Sequence, residues 1–215
     1  VKDAIEALGV PHVEVDLVIV NGESVGFDYN IRDGDRISVY PVFESIDISP
    51  LLRLREEPLR ETKFILDAHL GRLAKYLRLC GFDTLFNNNY SDPEIIDIAL
   101  DEKRIILTRD RELLKNKRIT HGYWLRSENY RDQLKELMTR FDLRDNIRLF
   151  SRCTVCNTLL EDVAKEDILQ RIKPGTRENH DHFKRCPACN RIYWQGSHYK
   201  RMRGLIEELR LKIDN

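Results

Sequence analysis

The sequence predicts an α/β protein whose main domain contains a mostly parallel sheet flanked by helices. Short apolar runs such as Ile105–Thr108 are continuous rather than alternating, which is typical of parallel strands buried on both faces. Between these runs, apolar residues recur at helical spacing, as in Leu70, Leu73, Ala74 and Leu77. Strands that alternate with helices in this way favour right-handed βαβ units and therefore a parallel sheet.

The main domain is predicted to span residues 63–147. Its predicted elements are strand 63–66, helix 68–79, strand 83–86, a helix opening at 91–93, strand 104–108, helix 110–115, strand 122–125 and helix 130–141. Gly81 predicts the end of the first of these helices, because glycine readily adopts the left-handed conformation at a helix C-terminus.

A small α+β domain is predicted at residues 1–47. Its predicted elements are helix 2–8 and strands 13–20, 23–29 and 36–42. Asn21-Gly22 is a strong hairpin signal. The chain begins at Val1 within a helical pattern, so we expect the natural protein to extend further at this end. Residues 48–62 contain Pro50 and Pro58 and are predicted to be a linker that packs on a neighbouring part of the chain.

The formal net charge is zero, but the charges are unevenly distributed. Residues 1–47 carry ten acidic and three basic side chains, whereas residues 148–203 carry twelve basic and six acidic ones. This asymmetry predicts an anionic partner for the later part of the chain, although ordinary solvated surfaces explain it about as well. No run approaches the ~20 apolar residues that span a bilayer, and no signal peptide is recognisable, so a cytoplasmic, membrane-free protein is expected.

Three aspartates stand where predicted strands or loops lead into helices. Asp67 follows strand 63–66, Asp110 follows strand 104–108, and Asp92 precedes Pro93 at the opening of a helix. Each of them alone is explained as a helix N-cap. Together they indicate a site, because the carboxyl ends of parallel strands share one edge of a sheet. Converging carboxylates repel one another unless a cation neutralises them.

Mg²⁺ or Mn²⁺ is the expected cation, because hard divalent ions prefer oxygen ligands. An ion held by these three aspartates would activate a water molecule for phosphodiester hydrolysis. Glu112, two residues after Asp110, is predicted to be a fourth, outer carboxylate of this catalytic site.

Basic side chains flank the predicted acidic site. Arg72 and Lys75 fall on one side of the first helix of the main domain, and Arg109 and Arg111 flank Asp110. These cations are predicted to hold a nucleic-acid backbone, since arginine binds phosphate through two parallel hydrogen bonds. Ion pairs with surface acids explain each of them equally well when it is taken singly.

Aromatic and basic residues interleave over residues 191–203, as they do on surfaces that bind single-stranded nucleic acid. The predicted nucleic-acid-binding residues in this segment are Lys200, Arg201 and Arg203. The alternative is that residues 192–194 form a strand that covers a metal core. A charged helix is predicted at residues 204–211.

Four of the five cysteines form two C-x-x-C pairs, Cys153 with Cys156 and Cys186 with Cys189. Two such pairs predict a structural zinc site with four thiolate ligands, and residues 148–215 are therefore predicted to form a zinc ribbon with a C-terminal helix. Asn157 and Asn190 each follow a pair, and asparagine tolerates the positive φ of a tight knuckle.

Two histidines and the fifth cysteine are weaker candidates for metal ligands. His180 and His182 lie between the two cysteine pairs and are alternative ligands, although exposed loop histidines are the simpler interpretation. Cys80 is interpreted as a buried apolar residue.

Residues 64–83, 92–99 and 106–113 carry a family resemblance. The stretches Phe64-Ile-Leu-Asp-Ala-His-Leu-Gly-Arg-Leu-Ala-Lys-Tyr, Asp92-Pro-Glu-Ile-Ile-Asp and Ile106-Leu-Thr-Arg-Asp-Arg-Glu-Leu resemble the Mut-seven C-terminal RNase family. The resemblance covers residues 63–141 and continues into the C-x-x-C pairs. It implies a PIN-like fold and metal-dependent ribonuclease chemistry at Asp67, Asp92 and Asp110, with Glu112 as a further acidic position.

Residues 1–47 resemble the later two-thirds of a β-grasp, ubiquitin-like domain of the sulfur-carrier type. The matching pieces are Val18-Ile-Val-Asn-Gly and Asp33-Gly-Asp-Arg-Ile-Ser-Val. Sulfur carriers end in a free Gly-Gly tail, whereas this segment continues through Pro41-Val-Phe43. The resemblance therefore implies a docking or scaffold role, with a protein partner on this acidic domain.

The sequence thus predicts a divalent-metal-dependent ribonuclease whose partner is RNA, either transfer RNA or another structured RNA. The alternative is a non-catalytic module that binds RNA or protein. A phosphatase on a similar scaffold would require an Asp-x-Asp pair after the first strand, but Asp67 is followed by Ala68 and His69.

Overall fold

The computed structural model describes residues 1–41 and 62–211 of the chain. Nearly all of the predicted linker 48–62 lies outside these residues. The chain forms two compact units, of which unit 1 contains Val1–Gly71 and Thr84–Gln133 and unit 2 contains Arg72–Asp83 and Leu134–Asn215. The two units combine segments from different predicted domains, and the predicted domain boundaries themselves stay a prediction.

A four-stranded sheet, here called the central sheet, confirms the predicted α/β class. Its strands are β4 (Lys63–Leu66), β5 (Asp83–Phe86), β6 (Ile105–Thr108) and β7 (Gly122–Trp124), in the order β5-β4-β6-β7. β4 and β7 both run parallel to β6, with Phe64 opposite Ile105 and Ile106 opposite Gly122. The carboxyl ends of β4 and β6 are therefore neighbours at one edge of the sheet.

Helices alternate with these strands in the chain. They are α2 (Gly71–Leu79), α3 (Asp92–Asp101), α4 (Arg111–Leu114) and α5 (Tyr130–Arg140). In unit 1, Ile95 and Ile96 of α3 and Leu114 of α4 pack with Ile65 and Ile106 of the sheet. The apolar residues of α2 and α3 recur at helical spacing, so one face of each of these helices is buried and the other is solvated.

Two helix starts differ from the prediction. α2 begins at Gly71 rather than at residue 68, because His69 has a φ of 70°, a left-handed conformation that interrupts an α-helix. Asp67 is therefore not the cap of this helix. The N-cap of α3 is Ser91 rather than Asp92, and the Glu94 carboxylate accepts a hydrogen bond of 2.8 Å from the Ser91 backbone in a capping box.

The N-terminal segment, residues 1–41, forms α1 (Lys2–Ala7), a 3₁₀ helix (His12–Glu14) and the antiparallel strands β1 (Val15–Val20), β2 (Glu23–Val25) and β3 (Ile37–Pro41). The strand order is β2-β1-β3. The predicted hairpin turn is confirmed, since Asn21 and Gly22 have φ values of 53° and 92°. The predicted strands 13–20 and 23–29 were too long, because residues 12–14 form the 3₁₀ helix and β2 ends at Val25.

Unit 2 contains a second antiparallel sheet in the order β10-β9-β8. Its strands are β8 (Glu161–Val163), β9 (Phe183–Arg185) and β10 (Ile192–Trp194), and its later helices are α6 (Pro174–Asn179) and α7 (Ser197–Leu211). β10 confirms the predicted strand at residues 192–194. α7 begins before the predicted 204–211, because Met202, Leu205 and Ile206 form one continuous buried stripe across Gly204. No described helix is both long and apolar enough to cross a membrane.

His12 is a buried titratable group in the N-terminal segment, with an exposed fraction of only 6 %. Its Nδ1 atom is 2.7 Å from Glu6 Oε1, and its ring meets Phe27 edge-on. Burial lowers the pKa of His12 below its usual value, and the hydrogen bond to the Glu6 carboxylate only partly offsets this effect. The folded protein therefore favours neutral His12.

We expect acid to destabilise the protein through His12. The unfolded chain takes up the proton near the usual histidine pKa of 6.5, whereas the folded chain resists it, so stability is complete above this pH and is lost as the pH falls below it. Urea unfolding between about pH 7.5 and about pH 5 should show a smaller loss of stability for His12→Gln than for the wild type. An equal loss in both proteins would contradict this assignment.

Candidate active site and metal centre

The carboxyl ends of β4 and β6 are joined by one hydroxyl group. Asp67 directly follows β4 and is half-buried, and Thr108, the last residue of β6, is fully buried. The Thr108 hydroxyl donates a hydrogen bond of 2.7 Å to Asp67 Oδ2 and accepts one of 2.8 Å from the backbone N–H of Asp110. Thr108 therefore fixes two of the predicted site aspartates relative to each other.

Asp110 is the N-cap of α4, as the simpler sequence interpretation predicted. Its Oδ1 atom accepts a hydrogen bond of 2.8 Å from the Glu112 backbone, which satisfies one of the open N–H groups of this short helix. Its Oδ2 atom has no hydrogen-bond partner among the residues that the structure describes, and the side chain is exposed. Capping thus occupies one oxygen and leaves the other available for a ligand.

The Asp67 carboxylate is held at both oxygens. Oδ2 accepts from Thr108, and Oδ1 accepts a hydrogen bond of 2.5 Å from the backbone of Ala68. An ionised carboxylate offers about four lone-pair sites, so each oxygen retains capacity for a further partner. Asp67 is therefore a rigid carboxylate with room for a cation.

Asp92 and Glu112 are placed differently from these two aspartates. Asp92 is the exposed first residue of α3, and the cap of that helix is made without it. Glu112 is exposed and pairs with Lys115 at 2.6 Å. Within residues 1–41 and 62–211, no three carboxylates lie within ligand distance of one another, so the structure links Asp67 with Asp110 but does not add Asp92 to one compact group.

The predicted RNA-binding cations have different surroundings. Arg109 lies 3.4 Å from Glu128, and the Arg111 guanidinium lies over the Trp124 ring at 4.9 Å from its centroid. Arg203 pairs with Glu207 at 2.6 Å. The remaining predicted cations are exposed on α2 or α7, namely Arg72, Lys75, Lys200 and Arg201.

The four paired cysteines converge in unit 2. Their sulfur atoms all lie within 4.8 Å of one another, with Cys153 Sγ 3.6 Å from Cys189 Sγ and Cys156 Sγ 3.3 Å from Cys186 Sγ. These separations are far longer than the ~2.05 Å of a disulfide bond. They are close to the ~3.8 Å edge of a tetrahedron with Zn–S bonds of about 2.3 Å. The quartet could therefore hold a zinc ion as a zinc ribbon does.

Each cysteine pair forms the same knuckle. The N–H of Asn157 donates to the Cys153 carbonyl, and the N–H of Asn190 donates to the Cys186 carbonyl. Both asparagines have positive φ values, 71° and 59°, which confirms the prediction from the sequence. In each knuckle this turn directs both thiols of the pair toward the centre of the cysteine quartet.

Two thiols of the quartet have shifted pKa values. Burial acts to raise the pKa of Cys156, but hydrogen bonds with Thr158, Cys186 and Cys153 together outweigh it and lower the pKa to about 6. Burial raises the pKa of Cys189 to about 12. Zinc binding would thus displace protons, and zinc affinity should rise with pH.

The first knuckle is anchored on the end of α2 and the turn that follows it. Arg78 of α2 is buried and donates a hydrogen bond of 2.7 Å to the Val155 carbonyl. Asn157 donates a hydrogen bond of 2.8 Å to Asp83, which also pairs with Arg152 at 3.3 Å. The cysteine centre is therefore built into unit 2 rather than attached as a loose appendage.

Comparisons with known proteins place this arrangement in a family. The Mut7-C RNAse domain model matches residues 62–206, which include the linked aspartates and the cysteine quartet. The chain belongs to the Mut7-C RNAse family. The Mut7-C ubiquitin model matches residues 1–47, which confirms the ubiquitin-like interpretation of the N-terminal segment. Searches of curated proteins and of solved structures gave no match.

The Mut7-C match suggests a nuclease-type function for the chain. Sequence reasoning found the two linked aspartates and the cysteines but assigned no role to Thr108, Trp124 or Glu14. A role for Thr108 could have been predicted from the sequence, because this residue ends the buried strand that leads to Asp110. The backbone N–H of Trp124 donates a hydrogen bond of 2.7 Å to Glu14, a contact that arises from tertiary packing and has no local signal in the sequence.

Loss of one cysteine should abolish metal binding in unit 2. We expect Cys186→Ser to reduce the zinc content from about one ion per chain to nearly none, because a closed structural site needs all four ligands. Inductively coupled plasma mass spectrometry on purified protein measures this content. Cys80→Ala, which removes the buried thiol outside the quartet, is the matched control and should keep its zinc. A Cys186→Ser protein with full zinc content would refute the four-thiolate site.

Proposed function

We propose that this Mut7-C protein is a divalent-metal-dependent ribonuclease that hydrolyses RNA phosphodiesters. The observation that carries this proposal is the pair of carboxylates, Asp67 and Asp110, linked through Thr108 at the ends of adjacent parallel strands. Ligand sites in open α/β sheets lie at this edge. The Mut7-C RNAse match supports the reaction class.

The donor set fits a hard divalent cation. Asp67 and Asp110 supply carboxylate oxygens with unused lone pairs, and we propose that they hold Mg²⁺ or Mn²⁺, with Asp92 as a third ligand that must move toward them. When bound, such an ion supplies Lewis-acid stabilisation of the phosphodiester and a more acidic water nucleophile. No protein side chain becomes covalently attached in this reaction.

The chain's own residues prepare the site. Thr108 holds Asp67 in one orientation and fixes the backbone of Asp110, so neither carboxylate has to reorganise when the substrate binds. Glu112 is proposed to act as an outer carboxylate that accepts the proton of the attacking water. Its exposed pair with Lys115 is worth only about 0–1 kcal/mol and does not prevent this role.

Basic side chains are proposed to hold the RNA backbone. Lys75 on α2 and Lys200 and Arg201 on α7 are exposed and have no carboxylate partner among the described residues. They are therefore ready to bind phosphate, whereas Arg109 and Arg203 must first release their exposed glutamate partners. The substrate is proposed to be transfer RNA or another structured RNA.

The ubiquitin-like segment is proposed to dock a protein partner. Its exposed acidic side chains favour a basic partner surface through charge complementarity. These exposed acids are Asp3, Glu23, Asp28 and Asp33.

A non-catalytic RNA-binding module is the second candidate. The observation in its favour is that Asp92 does not join Asp67 and Asp110 in one compact group among the described residues. A module of this kind would bind RNA through the exposed basic residues without binding Mg²⁺ or Mn²⁺ at the aspartates.

Replacement of Asp110 by asparagine tests the proposal with little structural disturbance. Asparagine is as good an N-cap as aspartate, so α4 should persist while the charge is lost. We expect cleavage of labelled single-stranded RNA and transfer RNA in Mn²⁺ or Mg²⁺ to fall about 100-fold or more, because metal stabilisation is worth several kcal/mol and ~1.4 kcal/mol is a factor of ten. The matched control is Asp101→Asn on the exposed surface of α3, which should cleave like the wild type.

The outcomes separate the candidates. Equal cleavage by wild type and Asp110→Asn would contradict the aspartate site and indicate a contaminating nuclease. RNA that binds, as measured by fluorescence anisotropy, but is not cleaved by the wild type would favour the non-catalytic module.

A further inference from the structure

The edge strand of the central sheet is covered by the ubiquitin-like segment within unit 1. Val13 of the 3₁₀ helix is 2 % exposed and belongs to the same core as Ile65, Ile106 and Leu114. A Cβ atom on Gly122 of β7 would lie 3.2 Å from Val13 Cγ2, so this contact is close. An edge strand exposes unpaired backbone groups, and here the N–H of Trp124 in β7 is hydrogen-bonded by Glu14 of the ubiquitin-like segment.

Glu14 makes the polar part of this contact. It is only 7 % exposed, its Oε1 atom accepts a hydrogen bond of 2.7 Å from the backbone N–H of Trp124, and its Oε2 atom pairs with Arg126 at 2.8 Å. Burial acts to lower the pKa of Arg126, but the hydrogen bond and charge of Glu14 outweigh burial and raise it. A buried carboxylate whose two oxygens are both hydrogen-bonded fixes the relative position of the two segments that it joins. Removing the Glu14 carboxylate would take this acceptor away from both the Trp124 N–H and the Arg126 guanidinium.

Trp124 connects Glu14 to the turn that carries Asp110. Its indole N–H donates a hydrogen bond of 3.3 Å to the carbonyl of Arg109, the residue before Asp110. The guanidinium groups of Arg111 and Arg126 lie over its ring, at 4.9 Å and 5.0 Å from the centroid. Cation–π contacts of this kind hold both the ring and the arginines in place.

The ubiquitin-like segment also approaches the other side of Asp110 in the chain. The terminal nitrogen of Arg111 is 3.3 Å from where a Cβ atom on Gly9 would lie, and Gly9 has a φ of 92° that other residues rarely adopt. The residues on both sides of Asp110 are thus in contact with Trp124, and one of them reaches Gly9.

We propose that the ubiquitin-like segment is a fixed part of the nuclease, in which Glu14 and Trp124 are positioning residues that hold the Arg109–Arg111 turn and thereby aim Asp110. The inference rests on the proposed ribonuclease function for its catalytic consequence, but the positioning itself is independent of it. In this role the segment acts through the sheet edge and does not need a free C-terminal tail.

Two variants test the positioning on the whole 215-residue chain loaded with zinc. Glu14→Ala removes both hydrogen bonds of the carboxylate, and Trp124→Phe keeps an aromatic ring but removes the indole N–H. Asn30→Ala, which truncates an exposed polar side chain of the same segment, is the matched control. We expect kcat for RNA cleavage to fall about tenfold in the first two variants with KM changed less than about twofold, because a small displacement of a catalytic group affects the chemical step.

Hydrogen–deuterium exchange at the amides of residues 109–112 gives a second readout that does not depend on catalysis. It should accelerate in Glu14→Ala and Trp124→Phe and remain unchanged in Asn30→Ala. Circular dichroism identifies any variant that fails to fold. If Glu14→Ala fails to fold, Trp124→Phe alone provides the test.

Wild-type kcat and wild-type exchange in a folded Trp124→Phe protein would overturn the positioning role while leaving the ribonuclease proposal intact. If the wild type does not cleave RNA, the ribonuclease proposal fails, and the exchange rates alone decide the positioning role. Faster exchange across the whole chain in both variants would show that Glu14 and Trp124 stabilise the fold as a whole. That result would also overturn the positioning role.

Discussion

The Thr108 hydroxyl is the constraint on which the candidate active site depends. It is the point where two parallel strands end, and it is bonded to a carboxylate from one strand and to the backbone that follows the other. A hydrogen bond to a charged group contributes about 1.5–3 kcal/mol, and here it also prevents Asp67 from turning away. Because Thr108 is fully buried, this arrangement is protected from competing water.

Further hydrogen bonds connect the turn after Thr108 to more distant segments of the chain. The turn after Thr108 is bonded to Trp124, and Trp124 is bonded to Glu14 of the ubiquitin-like segment. A segment that could have been a separate carrier domain is therefore packed into the core of unit 1 through Val13. In unit 2, Arg78 and Asp83 make the corresponding anchor between α2, the turn after it and the first cysteine knuckle. In both units, a few hydrogen bonds and ion pairs hold together segments that are distant in the sequence.

The sequence predicted those features that have a local signal. The buried strands β4 and β6, the Asn-Gly hairpin and the two knuckles all follow from patterns within a few residues. The capping box from Ser91 to Glu94 also has a local signature, so Asp92 was mistaken for a cap that the sequence itself assigns to Ser91. The start of α7 was placed too late because Gly204 was treated as a helix boundary, although the buried stripe continues across it.

Other features have no signal in the sequence. The positive φ of His69 depends on the turn that it belongs to, and it delays the start of α2. The contact between Glu14 and Trp124 joins residues 110 positions apart. Whether Asp92 completes the site with Asp67 and Asp110 depends on where α3 begins in space, and alternation of strands and helices does not determine that position.

Direct measurement of Mn²⁺ binding tests the central claim, which is that Asp67 and Asp110 hold one divalent ion together. The zinc-loaded protein would be titrated with Mn²⁺, and the free ion followed by electron paramagnetic resonance. Our account predicts a site in the wild type that is retained in Asp101→Asn and lost in both Asp67→Asn and Asp110→Asn. Undiminished Mn²⁺ binding in either of the last two variants would contradict it.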